Sequence, residues 1–197
     1  MKTDAGPESV LGTRERIVRA TSRLIQRQGY EGTGLKQISR EAGATLGSVY
    51  HFFPGGKQEL AVAAIRHGDE EFAGILRAAL AGEDDPAKAM VACARVLAEE
   101  LRASEWMDGC PVSAAALETA GRIPEIQQAC VRAFEHWRGL VSEKLIRAGI
   151  PEGDARDLAC TVVNTFEGAE MTAQVTRSQE PLLVAGGHLA RLVASYR

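Results

Sequence analysis

The chain has 197 residues, 45% hydrophobic and 25% charged, with a formal net charge of −3. That length can bury a substantial core in one or two domains, and the composition is ordinary for a soluble globular protein. No apolar run approaches the roughly 20 residues that span a bilayer, and Met1–Gly12 lacks the apolar centre of a signal peptide, so a cytoplasmic chain with a disordered leader over 1–12 is expected. Charge is unevenly spread. Residues 1–67 hold ten Lys/Arg against six Asp/Glu, and residues 68–197 hold thirteen against twenty. A basic front on an acidic body suggests that only the N-terminal part meets a polyanion. Cys93, Cys110, Cys130 and Cys160 are widely spaced with no C-x-x-C pair and no neighbouring His cluster, so neither a metal site nor a disulfide framework is expected.

From Thr13 to about Gln28, Ile17, Ala20, Thr21, Leu24 and Ile25 recur at the spacing of one buried helical face. Arg14, Arg16, Arg19, Arg23 and Arg27 then fall mostly on solvated faces, and Tyr30 plugs the core beneath the helix end at Gly29. Thr33 is expected to cap a short helix over Leu35–Ala42, which Gly43 ends in a left-handed conformation. Thr45 stands where the next N-cap is wanted, accepting from the amide of Gly47 or Ser48. The second short helix, Leu46–Phe53, stops at Pro54, and its Val49 and Phe53 can pack on Ile38. Two short helices joined by a tight Gly-containing turn make a helix-turn-helix, whose second helix can lie in a DNA major groove. Leu46, Gly47, Ser48, Tyr50 and His51 face outward in this arrangement. Leu46 can pack on a thymine methyl, Gly47 lets the backbone approach the duplex, Ser48 can donate to a base or phosphate, and Lys36 can reach the groove edge. Lys57 opens the following helix, where a cation and a helix N-terminus together favour a phosphate.

That helix should run through Gly68 toward Leu80 and join the reading head, 13–67, to a body over 68–197. The stretch Ala81-Gly82-Glu83-Asp84-Asp85-Pro86 breaks it. Further helices are expected over Pro86–Ala103 (Met90, Ala94, Leu97 and Leu101 inward), Ser113–Ala120 and Pro124–Ala148 (Ile126, Cys130, Phe134, Trp137 and Val141 inward). Asp154 should cap a helix to Thr176, and Pro181–Ser195 should form the last. Nothing reads as a strand, so the fold is expected to be all-α.

The run Gly29-Tyr30, Thr33, Ile38, Glu41-Ala42-Gly43-Ala44-Thr45, Gly47 through Phe53, Lys57 and Leu60 closely resembles the DNA-binding domain of the TetR family of repressors. Pro54-Gly55-Gly56 and Gly109-Cys110-Pro111-Val112 are similar to its LmrA/YxaF-like branch. The resemblance implies phosphate contacts from Tyr50 and His51, with Thr33 and Thr45 completing the DNA face. This chain departs from the family pattern at Gly34, where a hydroxyl residue is usual, and at Leu46, where Lys is common. With few direct base contacts left, DNA shape should supply much of the specificity.

The resemblance also implies a homodimer formed by the last two helices, where Ala159, Ala169, Ala173, Ala185, Gly186, Gly187 and Ala190 permit close approach. It implies a cavity in the body as well. Trp106, Met107, Cys110 and Phe134 are candidate lining residues, as are Trp137, Phe166, Glu167 and Met171, with Asn164 and Gln174 as further polar anchors. The expected function is therefore a repressor that binds a palindromic operator and is released by a small apolar or aromatic effector. No cofactor, metal, catalytic residue or membrane partner is expected. A redox sensor using Cys110 and an activator of the same architecture are the competing regulators. An enzyme finds no support, because no His is fixed beside Cys110 or Cys130.

Overall fold

The computed structural model describes residues 11–196, and the expected leader lies almost wholly outside them. Among the described residues the chain is all-α: α1 (Thr13–Gln28), α2 (Leu35–Glu41), α3 (Leu46–Phe52), α4 (Gly56–Ala81), α5 (Pro86–Ala103), α6 (Pro111–Thr119), α7 (Pro124–Arg147), α8 (Glu152–Thr176) and α9 (Glu180–Ala194). The apolar stripes read from the spacing fall inward. Ile17, Ala20, Leu24, Ile38, Val49, Phe53 and Leu60 form the core of the head. A second, larger core runs through the body around Met90, Leu101, Ile126, Trp137, Leu145 and Val162.

The two cores meet in α1 and α4. Ile25 and Tyr30, at the end of α1, pack into the body core rather than the head core. Tyr30 therefore plugs the joint between head and body and not the three-helix core expected for it. Helix α4 crosses the expected boundary at 67/68 without a break. A Cβ on Gly68 would stand 2.6 Å from Pro111 Cγ, so the glycine is required for the close approach of α6 and not for a bend.

Local chemistry corrects several helix starts. Gly34, not Thr33, is the N-cap of α2, because the Thr33 hydroxyl turns back to donate to the Gly29 carbonyl at 2.7 Å. Helix α8 begins at Glu152 behind Pro151, two residues before the expected Asp154 cap. Helix α6 begins at Pro111, with the Cys110 sulfur accepting from the Ser113 amide at 3.4 Å. The Thr45 cap is present, its hydroxyl accepting from the Ser48 amide at 3.0 Å.

Several of the small residues of the last two helices serve the protomer's own packing, while around Gly187 there is open space. Gly186 is buried against α5, where an added Cβ would sit 2.4 Å from Ala94 Cβ. Ala159, Ala173 and Ala185 are buried as well. What α8 and α9 turn outward is larger and apolar: Met171 and Val175, 58% and 80% exposed, with Leu183 and Val184 at 45% and 51%.

Candidate functional site

The reading head presents α3 on a stiff mount. Gly43, at φ +57°, lets the chain turn between α2 and α3, and the Ser39 hydroxyl donates to the Ala44 carbonyl. Arg16, expected on a solvated face, is instead a strut, with its guanidinium donating to the carbonyls of Ala42 and Leu11. On this mount Gly47, Tyr50 and His51 are exposed, with Leu46 and Ser48 half-buried beside them. Ser48 shares its hydroxyl with Thr45 at 2.9 Å, which orients both. Lys36 is exposed on α2. The Lys57 ammonium sits 4.3 Å above the Tyr30 ring and donates to the Glu31 carbonyl at 3.3 Å. That cation is therefore held in a fixed position. Thr33 is the exception: at 1% exposure it is a tether inside the loop, and the fold does not bring it to the surface with the others.

The cavity in the body is displaced from the one expected. A cleft of about 620 Å³ opens between α1, α4, α5 and α7, within the size range of roughly 300–1,000 Å³ usual for small-molecule sites. Of the expected lining residues, Cys110 and Trp137 border it. Trp137 is fully buried, pinned by an indole N–H donated to the Asp69 carbonyl at 3.4 Å and by Phe72, whose ring centroid lies 4.4 Å away. Phe134 is held edge-on behind Trp137, Phe166 is core, and Trp106 packs at the core's edge. Met107 and Met171 face outward, and Glu167 lies behind the wall rather than in it. Of the further anchors, Asn164 is exposed on α8 and the Gln174 amide is spent on the Met107 carbonyl. The residues that sequence reasoning missed are Phe72 and Ile75 on α4, Leu97 and Leu101 on α5, Glu170 on α8, and Ser22 with Arg23 on α1. The α4 and α5 residues sit on apolar stripes indistinguishable from plain core, and α1 carried no signal that it would form a wall.

The electrostatics of this region are unusual. Burial pushes the Glu170 carboxyl up to about 8, and the nearby Glu167 charge adds to the shift. Burial also raises the Glu167 carboxyl, only partly offset by the hydrogen bond from the Ser113 hydroxyl. The Cys110 thiol is raised well above its ordinary value by burial and by both carboxylates. A thiol held protonated in this way is a poor peroxide sensor, which counts against the redox reading. Among the described residues the one cluster with metal-ligand spacing is Asp69, Glu70 and His136. Its members already satisfy one another: His136 Nδ1 pairs with Asp69 at 2.8 Å, and the Arg77 guanidinium contacts both His136 Nε2 and Glu70. Arg77 therefore already supplies a cation beside two of the three.

Helix α6 touches both sites. Its N-terminal end, Cys110-Pro111, borders the cavity, and so does the preceding Asp108. Asp108 accepts from Arg27 of α1 at 2.6 Å. At the other end of α6, Glu118 accepts from the Glu31 amide at 2.8 Å, one residue from Tyr30, and Arg122 pairs with Glu31 at 2.9 Å. Gly29 takes φ +75° there, a conformation strained for any side chain, and a Cβ would push the Glu118 carboxylate aside.

Comparison with known proteins agrees with this architecture. Residues 17–64 match the N-terminal domain of bacterial regulatory proteins of the TetR family, and residues 86–188 match the C-terminal domain of LmrA/YxaF-like transcriptional regulators. The chain is 37% identical to the HTH-type transcriptional regulator LmrA of Bacillus subtilis, covering 87% of this chain and 91% of the relative. It is 33% identical to the regulator YxaF of the same organism, covering 92% and 95%. Among solved structures, the regulatory protein TetR from Rhodobacter sphaeroides shares the fold with a TM-score of 0.81 at 23% identity, over 91% of this chain and 97% of that one. A head that offers Tyr50 and His51 on a capped helix, joined through α4 to a helical body of this branch, belongs to a transcriptional regulator of the TetR family.

Proposed function

We propose that this regulator acts as a homodimeric repressor, with two α3 helices reading a two-fold symmetric operator and a small molecule in the α1–α4–α5–α7 cleft releasing it. The observation that carries the reading is the position of α6, whose first turn borders the cleft while its last turn holds Gly29–Glu31 beneath Lys57. A ligand that wedges Cys110-Pro111 outward must move α6, and α6 cannot move without disturbing Glu118, Arg122 and the Tyr30–Lys57 stack. By linkage, the factor by which the ligand weakens DNA binding equals the factor by which DNA weakens ligand binding. The outward apolar face of Met171, Val175, Leu183 and Val184 supports a dimer through α8 and α9, since a patch of that kind is seldom left to water. A C2 pair places its heads on half-sites about one helical turn of DNA apart, or a multiple of it. The expected DNA face is Lys36, Thr45, Leu46, Gly47, Ser48, Tyr50, His51 and Lys57.

The test is fluorescence anisotropy with DNA from upstream of the protein's own gene, combined with light scattering for mass. Saturable binding by a dimer that falls steeply with salt supports the proposal. A monomer, or binding indifferent to DNA sequence, overturns it.

A further inference from the structure

The cleft contains polar groups without the partners that enclosed groups normally have. Ser22 is 2% exposed, lies in the cleft wall, and its hydroxyl has no hydrogen-bond partner. Glu170 lines the same space with no hydrogen bond or ion pair from any described residue. Three residues earlier on α8, Glu167 takes the Ser113 hydroxyl on one oxygen while the other meets no nitrogen or oxygen donor.

The cations nearby are committed elsewhere. Arg19 holds Glu15 at 2.9 Å, Arg27 holds Asp108 at 2.6 Å, and Arg23 has a partner of its own. Around the wall the acids Glu71, Glu100 and Asp108 stand against Arg19, Arg23 and His67, and Asp108 is already held by Arg27, so the charged groups of the wall nearly balance and Glu170 is protonated among them. The remaining wall is apolar, with Phe72 and Trp137 offering ring faces.

We propose that the cleft takes a lipophilic organic amine, its ammonium donating to Glu170 with Ser22 Oγ as a second acceptor, and its apolar body lying on Phe72, Ile75 and Trp137. A buried carboxyl without a partner beside an apolar wall is satisfied by a cation that brings its own hydrocarbon, because a metal ion or free Lys would leave the apolar wall wet. The ammonium also reverses the electrostatic penalty that keeps Glu170 protonated, so binding near neutral pH transfers that proton to the buffer. This deepens the effector reading above and rests on it.

Matched probes of one shape separate the two levels: 2-naphthylmethylamine, which is cationic, and 2-naphthylmethanol, which is neutral. Each is titrated calorimetrically into the full-length protein, in two buffers of different ionisation enthalpy. The amine is expected to bind on the order of tenfold more tightly than the alcohol and to release a proton. Glu170→Gln, which keeps the shape and removes a buried charge, is expected to abolish both the preference and the proton release. Ser22→Ala should weaken the amine severalfold. If the alcohol binds as well as the amine, or the preference survives in Glu170→Gln, the amine assignment is overturned while the effector cleft stands. If neither probe binds at millimolar concentration, the amine assignment and the cleft reading both fail.

Discussion

Replacing Glu170 by Gln should make the protein more stable in a way that depends on pH. The folded carboxyl titrates at about 8, against an ordinary value of 4.5. Between those values the native state holds a proton that the unfolded state has released. Stability therefore falls as pH rises from about 4.5 to about 8 and levels off above it. At about 1.4 kcal/mol per tenfold change in acidity, the ceiling on this loss is roughly 5 kcal/mol. Water entry and side-chain relaxation around a cleft residue should reduce it to about 1–3 kcal/mol. Glutamine mimics the protonated acid, so Glu170→Gln should match the parent at pH 5 and exceed it by about that amount at pH 8. Urea unfolding at fixed protein concentration and several pH values measures the difference, which also includes the relief of Glu167, because the two carboxyls interact. A difference that does not change with pH, or that favours the parent at pH 8, would refute the burial argument.

Gly186→Ala should cost about 1–3 kcal/mol or more, read as a lower melting temperature, because its Cβ would meet Ala94 at 2.4 Å and the Met90 carbonyl at 3.3 Å. The control is Gly74→Ala, where nothing stands within 4 Å and helix propensity should give a small gain. Tyr50→Phe and His51→Ala should each weaken operator binding about fivefold, across operator variants alike, with unchanged melting temperature because both side chains are exposed. Thr45→Ala removes the α3 cap and should cost about 1 kcal/mol of stability as well as DNA affinity. In the folded protein Cys93, held at about 12, Cys130, at about 11, and Cys110 should alkylate far more slowly at pH 7.5 than in urea, as mass spectrometry would show.

The helix-turn-helix was legible because its signals are local. A cap at Thr45, a left-handed glycine at 43 and a stop at Pro54 act within a few residues of where they are read. The apolar stripes were legible for the same reason, since a stripe such as Met90–Leu101 marks an inward face whatever it meets. What it meets is a tertiary fact. Phe72 and Ile75 look the same whether they line a cleft or fill a core, whereas the aromatics of α7 and α8 stand out in sequence and draw the expected cavity toward themselves. Gly186 signals close packing, and its partner is α5 of the same chain. Thr33 was read from its family position, whereas its hydroxyl is spent on the Gly29 carbonyl.

Because Ile25 and Tyr30 belong to the body's core while Ile17 and Ala20 belong to the head's, α1 is not a modular part. Grafting a foreign operator specificity onto this protein would have to leave the second half of that helix native. The transplant is better confined to the short segment between Gly34 and Phe53. On the proposed reading, in which α3 meets DNA, specificity is better altered through the few outward side chains of α3 than by exchanging the whole head.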